Sequence, residues 1–331
     1  MYKKILVPLD GSEFSRKALD HAEKLAKIFD SELLLLQVVP FMPIYGSPEL
    51  VTPLIVDEKQ KELAQKYLFN LAEELRKKEP SLKTVYWTID DPHFLLKANP
   101  PWLGEFEYVL TSCEESREEY ERRGQKAFTF WPAVDPWRHR HRFDAALECN
   151  FVLAMTNCYA KDEFPDLVFD RRDLARALQA KFGGVHLYGK WDGYGWGSEK
   201  GCPELKECYK GWRTHAELVP VFSSARISVN AHGYTKHKGY LNERNFEILG
   251  SGGFLLVDRV AGIGEIFQEG CHCVFYDSLD DLLEKAAWYL EHEGERKRIA
   301  YEGMVYAHAN FNALDWVRRF DALIAGDSGR F

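Results

Sequence analysis

Apolar and polar positions along this chain fall into two alternating rhythms. Short, continuous apolar runs suit buried strands, and between them apolar residues recur at helical spacing. Residues 5–9 form such a run directly after two lysines, the pattern of a buried parallel strand. Phe14, Ala18, Ala22, Leu25 and Phe29 then mark one face of a helix that Ser12 is placed to cap. Residues 33–39 predict a second strand, and the four prolines within 40–53 predict a loop. Leu63, Tyr67, Leu71 and Leu75 line a helix over 57–78. A third strand over 85–89 runs into Asp90, Asp91, Pro92 and His93, a polar turn where open α/β sheets place their ligands. Strands over 107–111 and 127–131 flank a helix over 114–123.

The same alternation resumes after residue 143. Strands are predicted over 151–154, 185–188, 226–230 and 254–257, with helices over 170–182 and 215–222. A capping pair, Ser278 and Asp281, opens a helix with Leu279, Leu282, Ala286 and Leu290 on one stripe. Further helices over 295–308 and 314–324 close the chain. Strands alternating with helices imply parallel sheets with right-handed crossovers. The predicted fold is α/β, with two Rossmann-like domains facing across a cleft, over 1–136 and 143–331. The basic run 137–142 between them reads as a solvated linker.

Composition narrows the function classes. A chain of 331 residues is long enough for two domains. A net charge of −8 argues against a nucleic-acid partner, which calls for a basic stripe. Nine Trp and sixteen Tyr suit sugar-stacking faces and ordinary cores equally well. No run is long enough to cross a bilayer, and the first residues lack a leader pattern, so a cytoplasmic protein is expected. Seven cysteines, an odd number scattered over the chain, imply reduced thiols. Cys202 and Cys208, like Cys271 and Cys273, lack the paired spacing of a zinc site, so no metal is expected.

Residues 242–258 carry the most chemistry. Glu243 and Glu247 lie four apart, on one face of a predicted helix. The start of that helix directs free N–H groups outward, which suits a phosphate. A carboxylate that accepts from sugar hydroxyls, beside an anion-binding helix end, is equipment for holding a nucleotide sugar. Taken alone, the segment also describes a solvated surface helix with a glycine C-cap at Gly250, Gly252 and Gly253.

This segment, with its surroundings, resembles the C-terminal half of GT-B glycosyltransferases, in the group-1-like branch that includes the CgeB spore-maturation proteins. The resemblance is carried by the strand 226–230 ending at Asn230 and His232, then by Arg244, Phe246 and Glu247. It continues through the small-residue break 250–253, the strand before Asp258, the turn at Gly262 and Glu265, and the strand end 274–276. It covers residues from about 84 to the C-terminus. It implies a nucleotide-activated sugar as donor substrate, with no cofactor and no bound metal. Glu247 is then the partner of the ribose hydroxyls, and Arg244 and the backbone around Gly252 and Gly253 meet the diphosphate. Lys190 is a second phosphate contact, and Asn230 and His232 touch donor sugar or phosphate. The base is sought in the first domain, at Asp91 and His93, with Asp90 beside them. The acceptor is unknown, and an oligomer is possible.

The first 80 residues resemble the start of a universal stress protein, through the turn 7–12 and the strand end 38–40. That resemblance implies an adenine-nucleotide pocket with Pro8, Asp10 and Val39. The family's glycine-rich phosphate stretch has no counterpart here. Two rival functions follow, an adenine-nucleotide-binding stress protein and an inactive hybrid whose first domain is incomplete.

Overall fold

The computed structural model describes residues 4–9, 13–37, 77, 83–88, 91, 106–155, 169–192, 195–197 and 201–326. The predicted helix over 57–78, the loop over 40–53 and the Ser12 cap lie outside them, apart from single positions. The chain divides into two compact units. The first holds residues 1–112 and 116–130, and the second holds 113–115 and 131–331.

The described residues of the first unit form two parallel sheets. Strand β1 (Lys4–Leu9) pairs with β2 (Glu32–Gln37), and helix α1 (Glu13–Phe29) connects them. The helix buries a face other than the predicted one. Leu19, Ala22 and Ala26 are buried, whereas Ala18 is exposed and Leu25 is 45% exposed. The spacing 19, 22, 26 is itself a helical stripe, rotated from the predicted one and sharing only Ala22. In the second sheet β4 (Tyr108–Thr111) lies between β3 (Val85–Thr88) and β5 (Lys126–Thr129). Tyr86, Val109 and Ala127 from these strands pack with Tyr120 of α2 (Glu114–Arg122).

The second unit is doubly wound. Among its described residues, five parallel strands run in the order β10–β9–β8–β6–β7. They are β6 (Cys149–Ala154), β7 (Val185–Tyr188), β8 (Ala225–Asn230), β9 (Leu255–Asp258) and β10 (Val274–Tyr276). Alternate residues of β6 serve opposite faces, as the two-residue strand period requires. Phe151 and Leu153 pack under α3 (Arg171–Phe182) and α7 (Leu279–Glu291). Val152 and Ala154 join the other layer, with α4 (His215–Ser224) and α5 (Glu243–Gly250). Burying both faces is why these strands read as continuous apolar runs. A short helix α6 (Ile263–Ile266) and the closing helices α8 (Glu293–Asn310) and α9 (Ala313–Ala325) complete the unit. Phe246 anchors α5, with Phe267 and Phe311 at ring distances of 5.8 and 5.0 Å. Truncating so buried an aromatic costs about 3–5 kcal/mol.

Consecutive parallel strands force each connecting helix to run back against them. The N-termini of α3 and α5 therefore stand at the C-terminal ends of the strands. The order of strands reverses between β6 and β8, and such a switch point opens a ligand crevice in sheets of this kind.

Candidate active site

At the strand ends of the second unit, a buried polar network joins β8, β9 and α5. Asn230, the last residue of β8, gives its side-chain amide to Asn242 and to Asn245, both at 2.9 Å. Asn245 in turn donates to His232 Nε2 at 2.8 Å. Because Nε2 accepts, the imidazole proton sits on Nδ1, where it meets Asp258 Oδ1 at 2.6 Å. The backbone N–H of His232 donates to the other Asp258 oxygen at 2.8 Å. Tyr276, at the end of β10, donates to the Asn230 carbonyl at 2.9 Å, and burial pushes its phenol well up. Arg171, the first residue of α3, reaches the Ala231 carbonyl at 2.7 Å. His232 and Asp258 are wholly buried, and Asn230 is 1% exposed. A network so fully satisfied fixes where α5 begins.

The family resemblance puts Asn230 and His232 on the donor. In the structure both ring nitrogens of His232, and both side-chain N–H bonds of Asn230, engage neighbouring side chains. Asn242, at the N-cap of α5, makes no side-chain capping bond, because its side-chain oxygen accepts from Asn230. The first turn of α5 is thus left without a side-chain cap at the strand ends.

Glu247 lies one turn into α5 and is 7% exposed. One carboxylate oxygen pairs with Arg244 and the other with His215 Nδ1. Burial alone pushes the Glu247 carboxyl up, but Arg244, the His215 hydrogen bond and the nearby His139 outweigh it and hold it below the usual range. The hydrogen bond to Glu247 raises the His215 imidazole against the opposing effect of burial. The His215 side chain is 59% exposed and is the open side of this group. Arg244 also lies over the Phe222 ring at 5.6 Å. His215 opens α4 behind a capping box of Thr214 and Glu217. Glu243, at the first position of α5, is half-buried.

The remaining expectations separate. Gly252 and Gly253 stand beyond the C-terminus of α5, at the opposite end of the helix from the strand C-termini. Their small size serves packing there. Gly252 has a φ of +72° and faces His141 and Met304, and a Cβ on Gly253 would lie 2.9 Å from the Phe222 carbonyl. Lys190 follows β7 and is half-buried, and its carbonyl accepts from Trp196 at 2.9 Å. Two strand spacings, about 10 Å, separate β7 from β8. In the first unit Asp91 is wholly buried, accepting from Thr111 at 2.7 Å and from Tyr120 at 3.2 Å. Burial, and then the Asp91 charge, push the Tyr120 phenol far up. Asp91 has no open face from which to act as a base, because its oxygens hold the core of its own unit. Asp90, His93, Asp10 and Val39 lie outside the described residues, and Pro8 falls within β1.

An open pocket of ≈ 390 Å³ occupies the same edge of the sheet, lined by Thr235, Lys236, Arg259, Val260, Gly262 and Gly264. Arg259 is paired there with Asp277 at 2.8 Å and Glu269 at 3.0 Å. Among the described residues no group of three or more His, Cys, Asp or Glu side chains is arranged to hold a metal, and no helix is long and apolar enough to cross a membrane.

The linker 137–142 departs from its solvated reading at one residue. Its neighbours are exposed, but His139 is 5% exposed. Asp135 builds the turn that turns it inward, its carboxylate accepting from the backbone of Trp137 at 2.9 Å and Arg138 at 3.2 Å. Sequence spacing gives no signal for this residue, whereas the Thr214 and Glu217 pair does announce His215.

Residues 171–325 match the sequence model of a family described as glycosyl transferase-like. Residues 1–98 match the universal stress protein family. A universal stress protein of Methanocaldococcus jannaschii is 40% identical over 79 residues, which is 22% of this chain and 45% of that protein. The match thus spans less than half the length of that relative. In structure, the chain is similar to Anabaena Alr3699/HepE in complex with UDP-glucose, with a TM-score of 0.60 at 12% identity over 98% of this chain and 99% of that one. It is also similar to a sucrose-phosphate synthase from Thermosynechococcus elongatus, with a TM-score of 0.59 at 13% identity over 98% of each chain. A glycosyltransferase from Rickettsia africae gives 0.56 at 11% identity over 100% of both chains. At such identities the likeness is one of fold. The chain therefore shares the GT-B fold of these neighbours, with residues 171–325 similar to the glycosyl transferase-like family and residues 1–98 similar to the universal stress protein family.

Proposed function

We propose that this chain transfers a sugar from a nucleoside-diphosphate donor bound at the strand ends of the second unit. One observation carries the reading. Glu247 is an ionised, buried carboxylate held by Arg244 and His215 one turn into α5, within the glycosyl transferase-like region. A carboxylate offers acceptors only, which suits the two hydroxyls of a ribose. Arg244 and the uncapped first turn of α5 supply positive charge for the diphosphate. Positive charge of this kind stabilises a departing nucleoside diphosphate as the glycosidic bond breaks. Lys190 is the candidate for a further phosphate contact, and the pocket beside Thr235 and Gly262 gives a donor sugar room. His93 is kept as the candidate base. The Anabaena neighbour holds UDP-glucose, so uridine is the first base to test.

The test is turnover. Incubation with a panel of UDP-, GDP- and ADP-sugars is expected to release one nucleoside diphosphate above background, and Glu247→Ala is expected to abolish that release. Nucleotide binding with no release from any donor, with or without sugar acceptors, would sink the transferase reading.

The stress-protein match over residues 1–98 favours a second reading, an adenine-nucleotide pocket with Pro8, Asp10 and Val39. It expects ATP binding that is lost in Asp10→Ala and unchanged in Glu247→Ala.

A further inference from the structure

His139 is a buried histidine with one nitrogen in use. Its Nδ1 accepts from the backbone N–H of Asp135 at 2.9 Å. In a neutral ring that bond leaves the proton on Nε2. Nε2 is buried and has no hydrogen-bond partner. Burial holds the imidazole below its usual value, against the Glu247 and Asp135 charges that favour protonation, while Arg138 and His308 act with burial. The ring therefore stays neutral, with an N–H to give.

An unmet buried donor is costly, and native structures keep such groups where something else meets them. The position says what that partner is. His139 packs against α5 at Gly250, where an added Cβ would lie 3.0 Å from the His139 Cβ. Gly250 stands three residues after Glu247, on the same side of the helix. His139 and Glu247 each feel the other's charge.

A ribose hydroxyl both gives and accepts a hydrogen bond. Glu247 can accept its hydrogen bond but can donate none. We propose that His139 is a second contact for the donor's ribose, giving its Nε2–H to the oxygen of the hydroxyl that donates to Glu247. The proposal rests on Glu247 as the ribose carboxylate and deepens that reading into a specificity. A nucleotide lacking that hydroxyl would leave both Glu247 and His139 without their partner, so the site rejects it. His139 is thus a determinant of ribonucleotide over deoxyribonucleotide.

The experiment compares UDP, GDP and ADP with their 2′-deoxy and 3′-deoxy counterparts by calorimetry on the full chain. His139→Asn places an amide oxygen near the Nδ1 position, so the Asp135 N–H keeps an acceptor, but it removes the Nε2 donor. His139→Gln places an amide near Nε2. Wild type is expected to favour the ribonucleotide over one deoxy form by about tenfold or more. His139→Asn should bring that ratio close to one by weakening only the ribonucleotide, and His139→Gln should restore part of it. Unchanged affinity for the deoxy form shows that the variant is folded. A wild-type ratio retained in His139→Asn but lost in Glu247→Ala would overturn this inference and leave the donor site standing. Equal losses for both sugars would also overturn it, making His139 structural only. Failure of wild type to bind any of these nucleotides would overturn the donor-site reading and this inference together.

Discussion

Asp91 in the first unit and Glu247 in the second are both buried carboxylates, 0% and 7% exposed, and both stand out in the sequence as site residues. Their partners differ. Asp91 accepts from Thr111 and Tyr120, neutral hydroxyls of its own core. Glu247 pairs with Arg244 and with a half-exposed His215, at the edge where the strands end. Burial of a carboxylate therefore does not mark a site. In the proposed reading the distinguishing feature is a charged surround with one open side, where the group stays ionised and a ligand can reach it.

The comparison is broken most directly by removing each carboxylate in turn. Glu247→Ala is expected to weaken nucleoside-diphosphate binding about a hundredfold, the worth of charge-assisted hydrogen bonds lost at a closed site, read by calorimetry. Asp91→Ala should lower unfolding free energy by about 2 kcal/mol in denaturant titrations, since two hydroxyls lose their acceptor, and leave nucleotide affinity unchanged. A loss of affinity in Asp91→Ala without loss of stability would reverse the contrast.

Arg244→Lys sharpens it. A lysine keeps the charge and loses the planar fork, so affinity for the diphosphate should fall about tenfold while the fold stands. The smallest effect lies with His215. Its imidazole is raised above the usual 6.5 by Glu247, so its pairing is complete below 6.5 and is lost as pH rises through the raised value. Glu247 is held below the usual 4.5, so its share is present above 4.5 and is lost as pH falls through the lowered value. Wild type should therefore exceed His215→Ala in stability between pH 4.5 and 6.5, by about 0.5 kcal/mol for a solvent-screened pair. The gap should close at alkaline pH. A gap that is flat with pH would mean that His215 contributes packing alone.

Much of the second unit was legible in the residues. The strand at 185–188 and the helices expected over 170–182 and 215–222 follow from apolar runs, and in the structure the side chains of Asp170 and Thr214 cap the two helices. Ser278 also caps as its spacing predicts, although Asp281 accepts from Asp277 instead of closing the box. Glu247 stands out as a candidate because a helix face and a family resemblance both point to it. The linkage of Asn245, His232 and Asp258 was not, since it joins residues from 13 to 26 positions apart through the crossover of the sheet. A glycine needed for a positive φ or close packing, as at Gly252 and Gly253, looks in sequence like one that admits a phosphate. His139 was hidden inside a basic run, where only the Asp135 turn distinguishes it from its exposed neighbours. For α1 the period was right and the phase was wrong, because alanines at 18, 22 and 26 allow more than one buried stripe.

The measurement that tests the central claim most directly is a calorimetric titration of wild type and Glu247→Ala with UDP-glucose and with ATP. The account predicts UDP-glucose binding in wild type that is lost in Glu247→Ala, measured at a temperature where the variant is still folded, since loss of the buried partner of Arg244 lowers its unfolding midpoint. Binding of ATP alone, unchanged in Glu247→Ala, would contradict it and leave the N-terminal segment as the only nucleotide site.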